Sequence, residues 1–246
     1  MGGMALGAAW CARRSAALAR PLLAYAIAEA LIGVAALGFH EGFVLATDWA
    51  YEVLLPALGT GTPILAAKIA LSCVLIGPQA VLLGATFPLM SAGFVRAEPK
   101  RAGESIAMLY FANSLGGVAG VLASGFFLVA AVGLPGTLAL AGLVNLAVAA
   151  LVAVPARRPA PAALEARPGE AQAGTLLWAA FFTGLASFLY EIGWIRMLSL
   201  VLGASTHSFE LMLASFILGL ALGARDARAQ HPELRLLLCH AGDCGG

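Results

Sequence analysis

Residues 21–39 read PLLAYAIAEALIGVAALGF, an apolar run in which Glu29 is the only charged residue. A helix needs about 20 apolar residues to cross the hydrocarbon core of a bilayer, and this run has that length. Over the whole chain 61% of residues are hydrophobic and 11% are charged, whereas a soluble domain carries about 25% charged residues. So few charges cannot cover a water-facing surface, and we expect an all-α integral membrane protein in a lipid bilayer.

Further apolar runs follow at residues 64–90, 106–133, 136–154, 175–200 and 205–223. Backbone polar groups in lipid need partners within their own segment, so the runs together predict a bundle of about six transmembrane helices. A hinge at Leu134 and Pro135 separates the third helix from the fourth. Pro78, Gln79 and Pro88 interrupt the second run, and they indicate either a kink or a broken helix whose carbonyls face a substrate.

The connections between these runs alternate in charge. Arg or Lys residues occur in the connections at 11–20, 96–104, 155–174 and after 224, but not in those at 40–63, at 134–135 or near Gly203. We expect a multi-pass protein of a cell inner (plasma) membrane, and the positive-inside rule predicts that both termini lie in the cytoplasm.

Two similar segments suggest an internal repeat. Residues 2–8 read GGMALGA and residues 218–224 read LGLALGA, with five of the seven positions identical. One interpretation is a pair of homologous halves, a common plan in transporters, of which this chain is a fragment. The alternative is chance identity in a chain rich in Gly, Ala and Leu.

The predicted organisation has four parts. Residues 1–154 form a first membrane half, which contains the end of one helix and four transmembrane helices. Residues 155–174 form a cytoplasmic linker rich in Pro, Ala and Arg. Residues 175–224 begin a second membrane half with two transmembrane helices, and residues 225–246 form a cytoplasmic tail that is truncated or frame-shifted.

Charged side chains at membrane depth are costly, so they are the first candidates for function. These residues are Glu29, Lys68, Glu191, Arg196 and Glu210. One interpretation is charge pairing that fixes helix packing, with Arg196 meeting Glu210 and Glu29 meeting Lys68. The other is a substrate or proton site built from Glu29, Glu191 and Glu210, whose carboxylates would suit a small cationic solute such as a polyamine.

Small residues recur at every fourth position of the third helix, at Ala112, Gly116, Gly120 and Ser124. Such a stripe permits close helix contact and predicts helix packing. In an incomplete bundle, small-residue faces left without a partner also predict self-association.

No catalytic machinery stands out in the sequence. Its four cysteines match no zinc or haem spacing, and we find no nucleophile–base pair or phosphate loop. His207 is expected to be a solvated or packing residue. No basic patch with interleaved aromatics is present. We therefore expect no metal, no cofactor, no nucleic-acid partner and no enzymatic activity of this polypeptide.

Several stretches together resemble one family. They are YEIGWIR at 190–196, LGAS at 202–205, FILGLALG at 216–223, GATFPL at 84–89, YAIAEALIG at 25–33 and YFANSLGGVAG at 110–120. They are similar to the membrane region of fused spermidine synthase-like proteins over nearly the whole chain up to Gly223. These bacterial proteins join a major-facilitator-like bundle to a polyamine aminopropyltransferase-like domain.

The resemblance implies part of a two-half, transporter-like bundle that moves a polyamine or related small solute. The alternative is a non-transporting anchor or regulatory module for an aminopropyltransferase-like domain absent from this chain. The tail at 236–246, LLLCHAGDCGG, resembles a strand with its Gly loop. Such a loop needs a following helix to bind a ligand, so we expect no site there.

Overall fold

The computed structural model describes residues 2–15, 17–59, 61–97, 99–156, 178, 182, 189–190, 193–194, 197–201 and 206–229. Every regular element in these ranges is helical, which confirms the all-α fold. Four described segments are long and apolar enough to cross a membrane: Pro21–Leu58, Thr62–Ala97, Pro99–Val154 and Thr206–Arg225. This arrangement agrees with a helical membrane protein.

The helices described in full are α1 (Gly2–Ser15), α2 (Pro21–Trp49), α3 (Leu55–Leu58), α4 (Thr62–Ala97), α5 (Ala102–Ala123), α6 (Val129–Ala156) and α7 (Thr206–Ala229). Two π-helical turns, Ala50–Leu54 and Ser124–Leu128, continue α2 into α3 and α5 into α6. A 3₁₀ turn, Pro99–Arg101, precedes α5. The predicted fifth helix, the linker at 155–174 and the tail at 225–246 fall largely outside the described residues.

The first transmembrane helix is longer than the sequence indicates. We predicted it to end at Phe39, but helical structure continues through α2, a π-helical turn and α3 to Leu58. These 38 residues extend about 57 Å, well beyond a hydrocarbon core of about 30 Å. The end lies at Gly59, whose φ of 71° is a conformation that glycine adopts without strain.

The second transmembrane helix is also longer than the predicted 64–90. Helix α4 covers Thr62–Ala97 and remains α-helical through Pro78 and Pro88. It is therefore not shortened by either proline. Its buried residues all lie in the second half, from Gly84 to Arg96, so this half is the more closely packed within the described chain.

The predicted hinge lies one residue earlier than expected. Gly133 has φ 70° and ψ 179° and divides α6 into two helical stretches. The hydroxyl of Thr137 donates to the Gly133 carbonyl at 2.8 Å. A positive φ suits glycine, and Pro135 lacks the backbone N–H that would extend the preceding helix. Gly133 and Pro135 therefore specify the break.

The described residues form two compact units. The first unit contains the described residues within Met1–Lys100 and Val132–Ala163. The second unit contains the described residues within Arg101–Ala131 and Leu164–Gly246. Helix α5 therefore groups with α7, although the sequence organisation assigns these helices to different halves. The reason is direct packing of α5 on α7.

In the first unit, α1 and α2 both pack on α4. The core consists of Cys11, Tyr25, Ala28, Ala85 and Leu89. Glycines permit the close approach. A Cβ at Gly7 would overlap the backbone of Val81.

Helix α6 approaches α2 in the same way. A Cβ at Gly33 would lie 2.8 Å from the Gly142 carbonyl, and the converse distance is also 2.8 Å. Contacts of this kind are how small residues bring membrane helices together.

In the second unit, α5 packs on α7 through a face that contains Gly117, and Ile217 lies 3.8 Å from the Cβ position of that glycine. Ser114 and Val118 lie on the same face and are buried. The predicted packing stripe lies elsewhere on α5. Ala112, Gly116 and Gly120 are exposed, and Ser124 donates to the carbonyl of Val121 at 3.1 Å. Packing through the stripe thus stays a prediction.

Candidate functional site

Glu29 is a buried carboxylate in a helix that is long and apolar enough to cross a membrane. Its residue is 8% exposed, and Tyr25, one turn earlier on α2, is 7% exposed. The Tyr25 hydroxyl donates a hydrogen bond to the Glu29 carboxylate. A spacing of four residues places both side chains on one face of the helix, and Pro21 starts the helix one turn before Tyr25.

The surroundings of this pair are apolar. Tyr25 belongs to the core with Cys11, Ala85 and Leu89. Within the described part of the chain no cation forms an ion pair with Glu29. Burial of an unpaired carboxylate costs several kcal/mol, so the fold keeps Glu29 there at an appreciable loss of stability.

Lys68 is not the partner of Glu29. Helices α2 and α4 run antiparallel, with Leu22 packed directly on Gly93. Glu29 lies seven residues beyond Leu22, whereas Lys68 lies 25 residues before Gly93, and these intervals correspond to about 10 Å and about 37 Å of helix axis. The two residues therefore lie about 27 Å apart in height. Lys68 instead lines a groove of about 270 Å³ with Thr47 and Tyr51.

Glu210 forms the second polar cluster, near the start of α7. Its Oε2 lies 3.0 Å from Nδ1 of His207, and the side chains are 19% and 54% exposed, respectively. The His207 ring stacks on Phe126 with a centroid distance of 4.7 Å and an interplanar angle of 19°. His207 is therefore a partner of Glu210, and the expectation of a merely solvated or packing histidine missed this role.

Gly125 makes room for the Glu210 carboxylate. A Cβ at Gly125 would overlap the carboxylate carbon and both of its oxygens. Gly125 and Phe126 belong to the π-helical turn Ser124–Leu128, and such turns occur often at functional sites. The turn therefore places the Phe126 ring near the Glu210 cluster and leaves space for the carboxylate at Gly125.

Glu191 and Arg196 lie outside the described residues, so the predicted contact between Arg196 and Glu210 is not settled. Two described residues near them in the sequence are aromatic. Tyr190 stacks on Trp194 at 5.8 Å, and Trp194 meets Phe216 of α7 edge-on at 6.1 Å. These contacts pack Trp194 against α7.

Arg96 is a buried cation that the sequence analysis counted only as part of a basic connection. It is 7% exposed, and it donates to the carbonyls of Leu18 and Ser15 at 2.6 Å each. It thus adds a charged donor to carbonyls at and just beyond the end of α1, where a helix lacks intrahelical donors. Nothing in the local sequence around Arg96 specifies these acceptors.

The sequence spacing is consistent with both polar pairs, Tyr25 with Glu29 and His207 with Glu210. Tyr25 and Glu29 are four apart and His207 and Glu210 are three apart, which are the spacings of neighbours on a helix surface. The partners contributed by other helices, Gly125 and Phe126, have no such signal.

Among the described residues, no group of three or more His, Cys, Asp or Glu side chains could hold a metal ion. No family model, curated protein sequence or solved structure matches the chain. The interpretation of the two polar clusters therefore rests on their residues and geometry.

Proposed function

We propose that this chain is the membrane module of a spermidine synthase-like fusion protein and that it moves a polyamine or a related small cationic solute across a bacterial inner membrane. The supporting observation is Glu29, a carboxylate buried in a membrane-spanning helix with a tyrosine hydroxyl as its donor. Ionisable residues inside membrane segments commonly mark ion or substrate pathways. A positively charged solute would supply the opposite charge that no described residue provides to Glu29.

The proposal includes a bundle of about six transmembrane helices. The segment Pro99–Val154 has 56 residues, which is about 84 Å of helix and enough for two crossings of a core about 30 Å thick. Gly133 divides it. With the apolar run at 175–200, this count gives about six crossings. Arg13 and Arg14 at the end of α1 and Arg96 at the end of α4 support cytoplasmic termini.

The test is uptake of labelled spermidine by liposomes that contain the purified chain. We expect uptake above that of empty liposomes, and Glu29→Gln should reduce it at least tenfold. Glu41→Gln is the matched control, because Glu41 lies on the same helix but is exposed. Glu191→Gln tests the third carboxylate of the predicted site.

Uptake equal to that of empty liposomes would overturn the transport proposal. A non-transporting anchor or regulatory module for a separate aminopropyltransferase-like domain would then be the better account. Equal uptake by the wild-type protein and Glu29→Gln would instead remove Glu29 from the site.

A further inference from the structure

We infer that the Glu210 carboxylate and the Phe126 ring form a binding site for an organic ammonium ion, in which the His207 imidazole is the resident occupant. The inference rests on the proposed function in one respect, namely that the transported solute is cationic. It gives one of the three candidate carboxylates, Glu210, an aromatic partner, a ligand class and an internal competitor.

The geometry around His207 supplies the argument. One ring nitrogen lies 3.0 Å from the Glu210 carboxylate, and the ring lies 4.7 Å from the Phe126 centroid. A carboxylate beside an aromatic face is the combination that binds ammonium groups, through an ion pair and a cation–π contact. His207 occupies both interactions at once, as a protonated amine would.

The carboxylate is held in place by the helix opposite. Gly125 has no side chain, and the Glu210 carboxylate fills the space that a Cβ would take. Gly125 and Phe126 are adjacent in one π-helical turn, so the carboxylate that packs on Gly125 lies near the Phe126 ring. His207, in contrast, is exposed and can leave the ring by a side-chain rotation.

No other described charge faces this cluster. The last two turns of α5 and the π-helical turn contain no charged residue, and the next charged residue of α7 is Arg225. Among the described residues between 189 and 201, Tyr190 is the titratable group, and it stacks on Trp194. Glu191 and Arg196 lie outside the described residues. Within the described chain, His207 is therefore the cation that competes for Glu210.

This competition gives the site a pH dependence. Histidine is the side chain that most often changes its charge in the physiological range of pH. A charged His207 forms an ion pair with the Glu210 carboxylate. A neutral His207 binds the carboxylate less strongly and is displaced more readily. An organic ammonium ion should therefore bind more tightly at pH 8 than at pH 5.5, by roughly threefold, the size expected for a partly exposed ion pair.

The experiment measures binding of tritiated spermidine to the full chain in detergent at both pH values. A background with both Glu29→Gln and Glu191→Gln removes the other two candidate carboxylates, so the measured binding reports on Glu210. In that background His207→Ala should raise affinity at pH 5.5 by roughly threefold and abolish the difference between the two pH values. Glu210→Gln and Gly125→Ala should each lower affinity at least tenfold. Glu104→Gln and Gly117→Ala are the matched controls, since Glu104 pairs with Arg101 and the Cβ of an alanine at 117 would meet only ordinary contacts.

An unchanged pH dependence in His207→Ala would overturn the resident-occupant assignment, and wild-type affinity in Glu210→Gln would overturn the site. Thermal unfolding of each variant shows whether it is folded. Loss of the site with Glu29-dependent uptake intact would leave the proposed function standing. Glu210-dependent binding without uptake would overturn transport and retain the site.

Discussion

Nη2 of Arg96 lies 2.6 Å from the carbonyl oxygen of Ser15, the last residue of α1. Nη1 of the same guanidinium lies 2.6 Å from the carbonyl of Leu18. Arg96, at the end of α4, thus caps the end of α1 and bonds to the turn that leads into α2.

Arg96→Ala is expected to lower the free energy of unfolding by about 2 kcal/mol, because hydrogen bonds to a charged donor are lost at a buried site. Arg101→Ala is the control. Arg101 is exposed and pairs with Glu104, and such pairs contribute about 0–1 kcal/mol. Thermal unfolding in a mild detergent measures both variants. Equal midpoints would contradict the role given to Arg96.

Gly142→Ala is expected to destabilise the first unit by about 1–3 kcal/mol, the usual range for overpacking. Its Cβ would lie 2.8 Å from the Gly33 carbonyl, and a backbone atom cannot move aside as a flexible side chain can. Gly38→Ala on α2 is the control, because no atom of the described residues lies within 4 Å of its Cβ position. A midpoint for Gly142→Ala at or above that of Gly38→Ala would show that the two helices do not meet there.

The two copies of the repeated segment give a third prediction. Gly7 of the first copy packs on the Val81 backbone, whereas its counterpart Gly223 has no described neighbour within 4 Å of its Cβ position. Gly7→Ala should therefore destabilise the protein by about 1–3 kcal/mol. Gly223→Ala should leave stability unchanged or raise it slightly, since alanine favours helix. Chemical unfolding followed by circular dichroism measures both, and a larger loss for Gly223→Ala would contradict the packing of α1 on α4.

Tyr25 and Glu29 should be energetically coupled. Tyr25→Phe removes the donor of a buried carboxylate and is expected to cost about 1–3 kcal/mol. In Glu29→Gln the carboxylate charge is gone, and the same tyrosine change should cost less. A double-mutant cycle on unfolding free energies isolates this coupling, which we expect to be about 1 kcal/mol. Additive effects would show that the hydrogen bond contributes nothing measurable to stability.

Much of the helical architecture follows from the residues alone. Runs such as 21–39 and 205–223 are apolar enough that, in lipid, a helix is the structure that satisfies their backbone groups. Gly133 and Pro135 specify their break locally. The sequence did not predict helical structure beyond Phe39 as far as Leu58. This outer segment is more polar than the runs that identify membrane spans.

The partners of the charged residues were decided by tertiary structure. The sequence alone identified Glu29, Lys68 and Glu210 as unusual, because a charge in an apolar run is visible without coordinates. It did not assign their neighbours, since those depend on which helices pack together and at what relative height. Antiparallel packing of α2 on α4 separates Glu29 from Lys68, and packing of α7 on α5 brings Glu210 onto Gly125. Helix formation is local in sequence, whereas the chemistry of a buried charge is set by side chains that arrive from elsewhere in the chain.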